Sequence, residues 1–444
     1  MHRNTHLLPL LLLLSGLAIP LPRIAAGDDL MSSYELAQQS DPEYQAAIAA
    51  HQAALEVAPQ SRAALLPSIG LSGLASRDRY DPRNSGDTSY ATNQTYSVGL
   101  RQAIYQRASL LQLEQADSSI AQANAQLAAA QQDLLLRVTT RYFLVLGALD
   151  NLEFVQADKA AIGRTLEQAQ KRFEVGLAAI TDTLDAQARY DIAVSDEINA
   201  EKLLDDAREA LREVTGELPV DPEILQSEIP LLKPDPADQD EWVTAAIDQN
   251  PLLLAAIAAT QVAKQEIQVQ NSGHYPSLDL TADYSYRDTQ FGGFSALERN
   301  DSAIGLELTV PIYQGGLITS RTRQSRYTYT QTREEQEKQL RSTERSARDT
   351  YRGVISGISK VEALQNAVVS NEKAVEAAEA GFEVGTRSIV DVLDAQRELL
   401  RARRDYARSR YDYLLDTLRL KQAAGIISET DLAQINNLLV ASKK

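Results

Sequence analysis

Among the side chains able to do chemistry, two pairs of carboxylates stand out: Asp391 and Asp394 in "GTRSIVDVLDA", and Asp182 and Asp185 in "GLAAITDTLDA". The members of each pair are three residues apart, which puts both on one face of a helix. Such pairs can bind a cation, exchange protons or set a negative field over a passage. They can also do no more than favour a helix start, where an acid gains about 0.3 to 1 kcal/mol from the macrodipole. Partners for catalysis are scarce. Past residue 26 the histidines are His51 and His274, cysteine is absent, and no phosphate loop or nucleophile elbow occurs. Acid–base or metal chemistry would rest on the aspartates alone, at a helix tip rather than in a pocket. The sequence therefore reads as a non-enzyme, with no cofactor and no metal expected.

What positions the carboxylates is a repeat. Residues 172–187 and 381–396 match at ten of sixteen positions, and the same offset of 209 returns Asp41-Pro42 as Asn250-Pro251, Pro67 as Pro276, Phe173 as Phe382 and Gly216 as Gly425. Two tandem halves follow, 27–216 and 241–425, with a tail at 426–444. Between the halves, 217–240 begins "ELPVDPEILQSEIPLLKPDP", whose five prolines cannot continue a helix.

Each half predicts one order of elements. A proline at the first helical position, capped by Asp41 or Asn250, starts a helix running toward Ala64 or Ser272. Alternating runs then predict strand pairs at 67–80 and 94–105, and at 276–288 and 302–313. In "SLDLTADYSY" Leu278, Leu280, Ala282, Tyr284 and Tyr286 share one face, opposite Ser277, Asp279, Thr281, Asp283 and Ser285. Long helices at 108–175 and 317–384 follow, the first with an apolar stripe stepping close to 3.5 residues. At about 1.5 Å per residue each is a rod of roughly 100 Å. Gly176 and Gly385 stop them, and return helices are expected at 182–215 and 391–424. The carboxylate pairs thus lie at hairpin tips.

Composition bounds the setting. The chain has 444 residues and a formal charge of −17, which argues against a nucleic-acid partner. Residues 1–26 have the form of a secretory signal: Arg3, an apolar run from Leu7 to Leu17 and "IAA" ending at Ala26. No later apolar run is long enough for a membrane-spanning helix. Four strands with one apolar face cannot close on themselves, and an apolar-out, polar-in period of two is the pattern of a membrane barrel. Closure requires several chains. Two would give 8 strands and three would give 12, and the residues do not choose between them. Tyrosines such as Tyr96, Tyr105, Tyr284 and Tyr313 sit in or beside the strands, as interface belts require. A secreted coiled-coil stalk or adhesin without a pore is the alternative. It accounts for the helices but not for the alternating strands.

The segments "GHYPSLDLTA", "VPIYQGG", "RYDYLL" and "VGTRSIVDVLDA", with its partner "VGLAAITDTLDA", resemble the TolC family of outer-membrane exit ducts over nearly the whole chain. That resemblance implies an α+β membrane protein: a homotrimer whose 12-strand barrel sits in outer-membrane lipid of a Gram-negative cell and continues as a helical tunnel across the periplasm. It implies a periplasmic adaptor and an inner-membrane ABC or proton-driven pump as partners. The absence of a cysteine for lipidation is similar to the branch serving type I secretion and general efflux. By the same resemblance Asp391 and Asp394 ring the entrance and confer cation selectivity, with Asp182 and Asp185 adding to it. Arg387, Asp182, Thr181 and Phe382 match a latch that holds the tips closed, although Phe382 stands where the family often has tyrosine and has no hydroxyl to offer. Gly176, Leu177, Gly385 and Thr386 match the tips offered to the adaptor.

Overall fold

The computed structural model describes residues 29–81, 88–177, 179–217, 222–291 and 294–441. The expected leader at 1–26, the connector's Pro219 and part of the loop between the first two strands lie outside them. In chain order the elements are α1 (Leu30–Ser40), α2 (Pro42–Leu55), α3 (Val57–Ala63), β1 (Ser68–Tyr80), β2 (Ser89–Gln106), α4 (Arg107–Glu174) and α5 (Ile180–Thr215). The second half continues with β3 (Ile224–Leu225), α6 (Gln239–Gln249), α7 (Pro251–Asn271), β4 (Ser277–Phe291), β5 (Phe294–Thr309), α8 (Leu317–Glu383), α9 (Ile389–Ala423), α10 (Glu429–Asn436) and β6 (Leu439–Val440).

Several expected boundaries are corrected. The helix expected from Pro42 to Ala64 breaks at Glu56, because Pro59 has no N–H to give the Leu55 carbonyl. Its counterpart from Pro251 is unbroken. The strand expected at 94–105 begins at Ser89, and that at 302–313 spans Phe294–Thr309, ending before Pro311. The return helices begin at Ile180 and Ile389, two residues before Asp182 and Asp391. Helices α1, α6 and α10 and the short pair β3–β6 are elements beyond those the sequence pattern predicts.

The four long strands form one antiparallel sheet in the order β1-β2-β4-β5. Its register stacks the apolar positions of both halves: Ile69, Leu100, Ala282 and Ile304 lie in one row, and Leu71, Val98 and Tyr284 in the next. Directly paired residues point to the same side, so this face is mainly apolar, interrupted by Gln102 beside Leu280 and by Ser302 beside Tyr284, with Ile304 83 % and Leu71 79 % exposed. The other face carries Ser68, Arg101 and Thr281, then Gly70, Gly99 and Asp283. On it the Arg101 guanidinium reaches Asp279 at 2.8 Å and Glu307 at 3.8 Å. Strands β1 and β5 each have one unpaired edge.

Beyond the sheet, α4 with α5 and α8 with α9 form two antiparallel helix hairpins, and α7 lies between α4 and α8. Near mid-length they share the main core, where Leu134, Val138, Tyr142 and Leu146 of α4 meet Leu414 and Leu418 of α9, Leu211 of α5, Tyr34 of α1 and Trp242 of α6. Proline leaves the connector few backbone partners of its own, so side chains fasten it. Arg410 donates to the carbonyls of Gln226 and Ser227, Tyr413 to that of Leu232, Tyr142 to that of Glu223, and the Trp242 indole to that of Pro236.

The two halves cap their repeated helices differently. Asp41 accepts from the N–H groups of Glu43 and Tyr44 and pairs with Arg137 at 3.0 Å. Asn250 accepts from Leu252 and Leu253, while its amide donates to the Ala423 carbonyl at the end of α9. This docking brings Gly425 (φ +77°) so close that a Cβ there would lie 2.3 Å from the Gln249 carbonyl oxygen. Gly216 (φ +75°) would meet only the Ser40 side chain, at 3.2 Å. Gly425→Ala is therefore expected to cost about 2 to 6 kcal/mol, adding an overlap with rigid backbone to the left-handed strain. Gly216→Ala, where a side chain can yield, should cost roughly half as much. Apparent melting temperatures in detergent check this, and equal losses would contradict it.

Candidate functional site: the paired helix tips

Both hairpins turn through the same motif. Gly176 (φ +76°) and Gly385 (φ +78°) take the left-handed position. Leu177 N–H then bonds back to the Arg172 carbonyl, and Thr386 N–H to that of Gly381, both at 2.8 Å, which satisfies the last carbonyls of α4 and α8. Apolar side chains are left in solvent at both tips, with Leu177 77 % and Val384 76 % exposed.

The return helices start differently. Ser388 caps α9, and its hydroxyl accepts from the Asp391 N–H at 3.2 Å. The Asp391 carboxylate accepts from both the Ser388 N–H and hydroxyl at 2.8 Å, completing a capping box. Those bonds, backbone first, hold the Asp391 carboxyl below its ordinary range, with nearby Arg387 adding to the effect. In the first half the position matching Ser388 is Ala179, which has no side chain to cap with. There Asp182 gives only its N–H to the Ala179 carbonyl. Asp185 is exposed, and among the described residues neither Asp182 nor Asp185 is in an ion pair.

A small core joins the hairpins behind the tips. Ile162 of α4, Ala193 of α5, and Ile389 and Leu393 of α9 are buried together, with Tyr190 and Phe382 packed against them. The Arg172 guanidinium lies over the Phe382 ring at 4.7 Å. In place of a tyrosine hydroxyl, this position thus offers an aromatic face to a cation from the other hairpin. Asp394 is also engaged: one carboxylate oxygen takes Arg189 of α5 at 2.9 Å and Arg397 of its own helix at 3.3 Å.

The structure thus brings Asp394 together with Arg189 and Arg397, and Phe382 with Arg172. Within one protomer it does not bring Arg387 to Asp182. Arg387 is exposed, its side chain lies against Gly381, and it makes no ion pair among the described residues. Thr181 is exposed as well. The capping box was visible as Ser-x-x-Asp, and Arg397 as a cation three residues after Asp394. Arg189 lies 205 residues from Asp394 and leaves no local signal. Among the described residues no three His, Asp or Glu side chains are placed to hold a metal ion.

The sequence profile of the family described as "Outer membrane efflux protein" matches residues 33–217 and again residues 242–426. The chain belongs to the outer membrane efflux protein family. The two matches are offset by the same 209 residues as the repeat, so each half is one family unit. Outer membrane protein TolC of Vibrio cholerae is 40 % identical over 422 residues, covering 94 % of this chain and 95 % of that one. The alkaline protease secretion protein AprF of Pseudomonas aeruginosa is 28 % identical, over 91 % of this chain and 85 % of that one. The crystal structure of the Campylobacter jejuni CmeC outer membrane channel superposes with a TM-score of 0.77 at 16 % identity, covering 93 % of this chain and 90 % of that one. At that identity the likeness is one of fold alone.

Proposed function

We propose that the chain is the outer-membrane exit duct of a tripartite export system, carrying proteins or small toxic compounds from an inner-membrane pump past periplasm and outer membrane. The observation that carries the proposal is the sheet: one face mainly apolar on all four strands, the other mainly polar, and both outer edges unpaired. Water disfavours the first feature and lipid forbids the last, unless several protomers close a barrel. Three protomers give 12 strands and a lumen wide enough for water. Helices of 68 and 67 residues, about 100 Å long, prolong that lumen through the periplasm.

On this reading the tips form the entrance. Asp391 and Asp394 set its cation preference, and Asp182 and Asp185 add to it. Arg387 reaches the Asp182 and Thr181 region of a neighbouring protomer in the closed state, while Phe382 stays inside its own. Gly176, Leu177, Gly385 and Thr386 are the surface offered to a periplasmic adaptor, behind which stands an ABC or proton-driven pump. The efflux family and the AprF likeness together support both cargo classes. No step requires catalysis by the chain itself. A pore-free stalk is disfavoured, since it leaves the apolar sheet face without a purpose.

The decisive measurement is mass by light scattering in mild detergent. A trimer is expected, and a monomer with its strand edges intact would overturn the reading.

A further inference from the structure

We propose that Arg189 sets the specificity of the entrance by clamping Asp394 across the two hairpins, so that this carboxylate is masked while the tips are together and uncovered when they part. The proposal rests on the duct reading above and adds to it a residue and a dependence of charge on state.

Three observations carry it. First, the Arg189–Asp394 contact at 2.9 Å joins α5 to α9, which belong to different hairpins, whereas Arg397 reaches the same oxygen from within α9. Two guanidinium groups on one carboxylate leave it no net negative field, although its own helix supplies only one of them. Second, the contact is held from behind. Tyr190, the next residue after Arg189, packs on Ile162 and close to Gly163, and Leu393, the residue before Asp394, is buried in the same cluster. The two backbones are thus fixed while the hairpins touch, and they separate only if that small core opens. The side chains remain partly exposed, Arg189 at 31 % and Asp394 at 45 %, so water can take over the pair once a few ångströms separate it.

Third, the repeat does not duplicate the device. Asp185 matches Asp394, but Ala188 stands where Arg397 is, and Glu398 where Arg189 is. Asp185 is therefore bare among the described residues. Asp391, one turn nearer the tip, keeps its charge because its partners are the Ser388 N–H and hydroxyl, which are neutral. At rest the ring is thus Asp391 with Asp185 beside it. Opening releases Asp394 from Arg189 and leaves it to Arg397 alone, so its negative field strengthens as the entrance widens.

The test is single-channel recording of purified assemblies in planar bilayers under a potassium chloride gradient, reading conductance and reversal potential. Arg189→Ala should raise the ratio of open to closed tips roughly tenfold, the size expected when three weak ion pairs are released together. It should also move the reversal potential further toward the cation limit. Asp394→Ala should raise conductance similarly without that gain in selectivity, and Arg189→Ala/Asp394→Ala should match Asp394→Ala rather than sum the two. Arg189→Lys, and the exchange Arg189→Asp/Asp394→Arg, should restore low conductance. If Arg189→Ala equals the wild type in both readouts while Asp391→Ala shifts the reversal potential, the duct stands and the clamp is refuted. Wild-type assemblies that form no channel would overturn both.

Discussion

Assemblies carrying Asp391→Ala and Asp394→Ala together are expected to lose the cation selectivity expected of the wild type and to conduct in the presence of trivalent cations, which should block the wild type. In the proposed trimer, three copies of each residue surround one axis. In a passage no wider than the roughly 8 Å Debye length of physiological salt, mobile ions cannot screen the ring from within. A trivalent ion spans several carboxylates and plugs the duct, whereas potassium passes. The pH dependence follows from Asp391. Its carboxyl is held below the ordinary range by Ser388, so the Asp391 carboxylates keep their charge at pH values where a free aspartate has taken up a proton. Selectivity should therefore persist on acidification and fail only as pH drops through that lowered value. Asp391→Asn/Asp394→Asn separates charge from capping, because asparagine still accepts from the Ser388 N–H. If the alanine pair loses selectivity and the asparagine pair keeps it, the capping bond rather than the charge is what matters. If both keep wild-type selectivity and block, these residues serve only to start α9.

The second large effect is expected on the sheet. Ile304→Arg should abolish the assembled protein in the membrane, while Ala303→Arg, one residue away, should be tolerated. Ile304 lies mid-band on the apolar face, in the row of Ile69, Leu100 and Ala282, with Tyr105 two rows to one side and Tyr284 and Tyr286 on the other. The band from Asn300 to Leu308 spans about 27 Å along the strand, which a tilt of about 40° reduces to roughly 20 Å of height. An arginine there costs about 2 to 4 kcal/mol per copy at the bilayer midplane, and it is present in every protomer. Ala303 faces the polar side, directly across from Asp283. Equal recovery of both variants as trimer from outer-membrane fractions would refute the assigned faces.

How much was legible depended on the range of the signal. The alternation at Leu278–Tyr286, the proline-free run from Ala108 to Val175 and the 209-residue offset are properties of the chain itself, and they placed the sheet, the rods and the tips. The break at Glu56 was also written locally, in Pro59, but the apolar residues around it carried the helical pattern past it. Helices α1 and α10 and the β3–β6 pair take their stability from distant surfaces: Tyr34 is buried against the main core, and Ile224 and Leu225 pair with Val440 and Leu439. Local signals for the helices reach only their starts, the Asp29 cap of α1 and the Ser428–Asp431 capping box of α10, and none marks the β3–β6 pair. At the tips the carboxylates were legible and their partners only half so. Ser388 and Arg397 lie within one turn of them, whereas Arg189 and Arg172 meet Asp394 and Phe382 only because four helices converge.

The free edges of β1 and β5 also govern inheritance. A lone protomer entering the bilayer would carry two rows of bare N–H and C=O groups, each costing several kcal/mol in hydrocarbon. Insertion and closure must then be a single event that waits for all subunits. A subunit with a spoiled edge but sound helices would still join its neighbours in the periplasm and hold them there. If the ring is the proposed trimer and half the copies are spoiled, random mixing leaves roughly one ring in eight wholly sound. Alleles that damage the edge strands should therefore be dominant, and alleles that unfold the whole chain recessive.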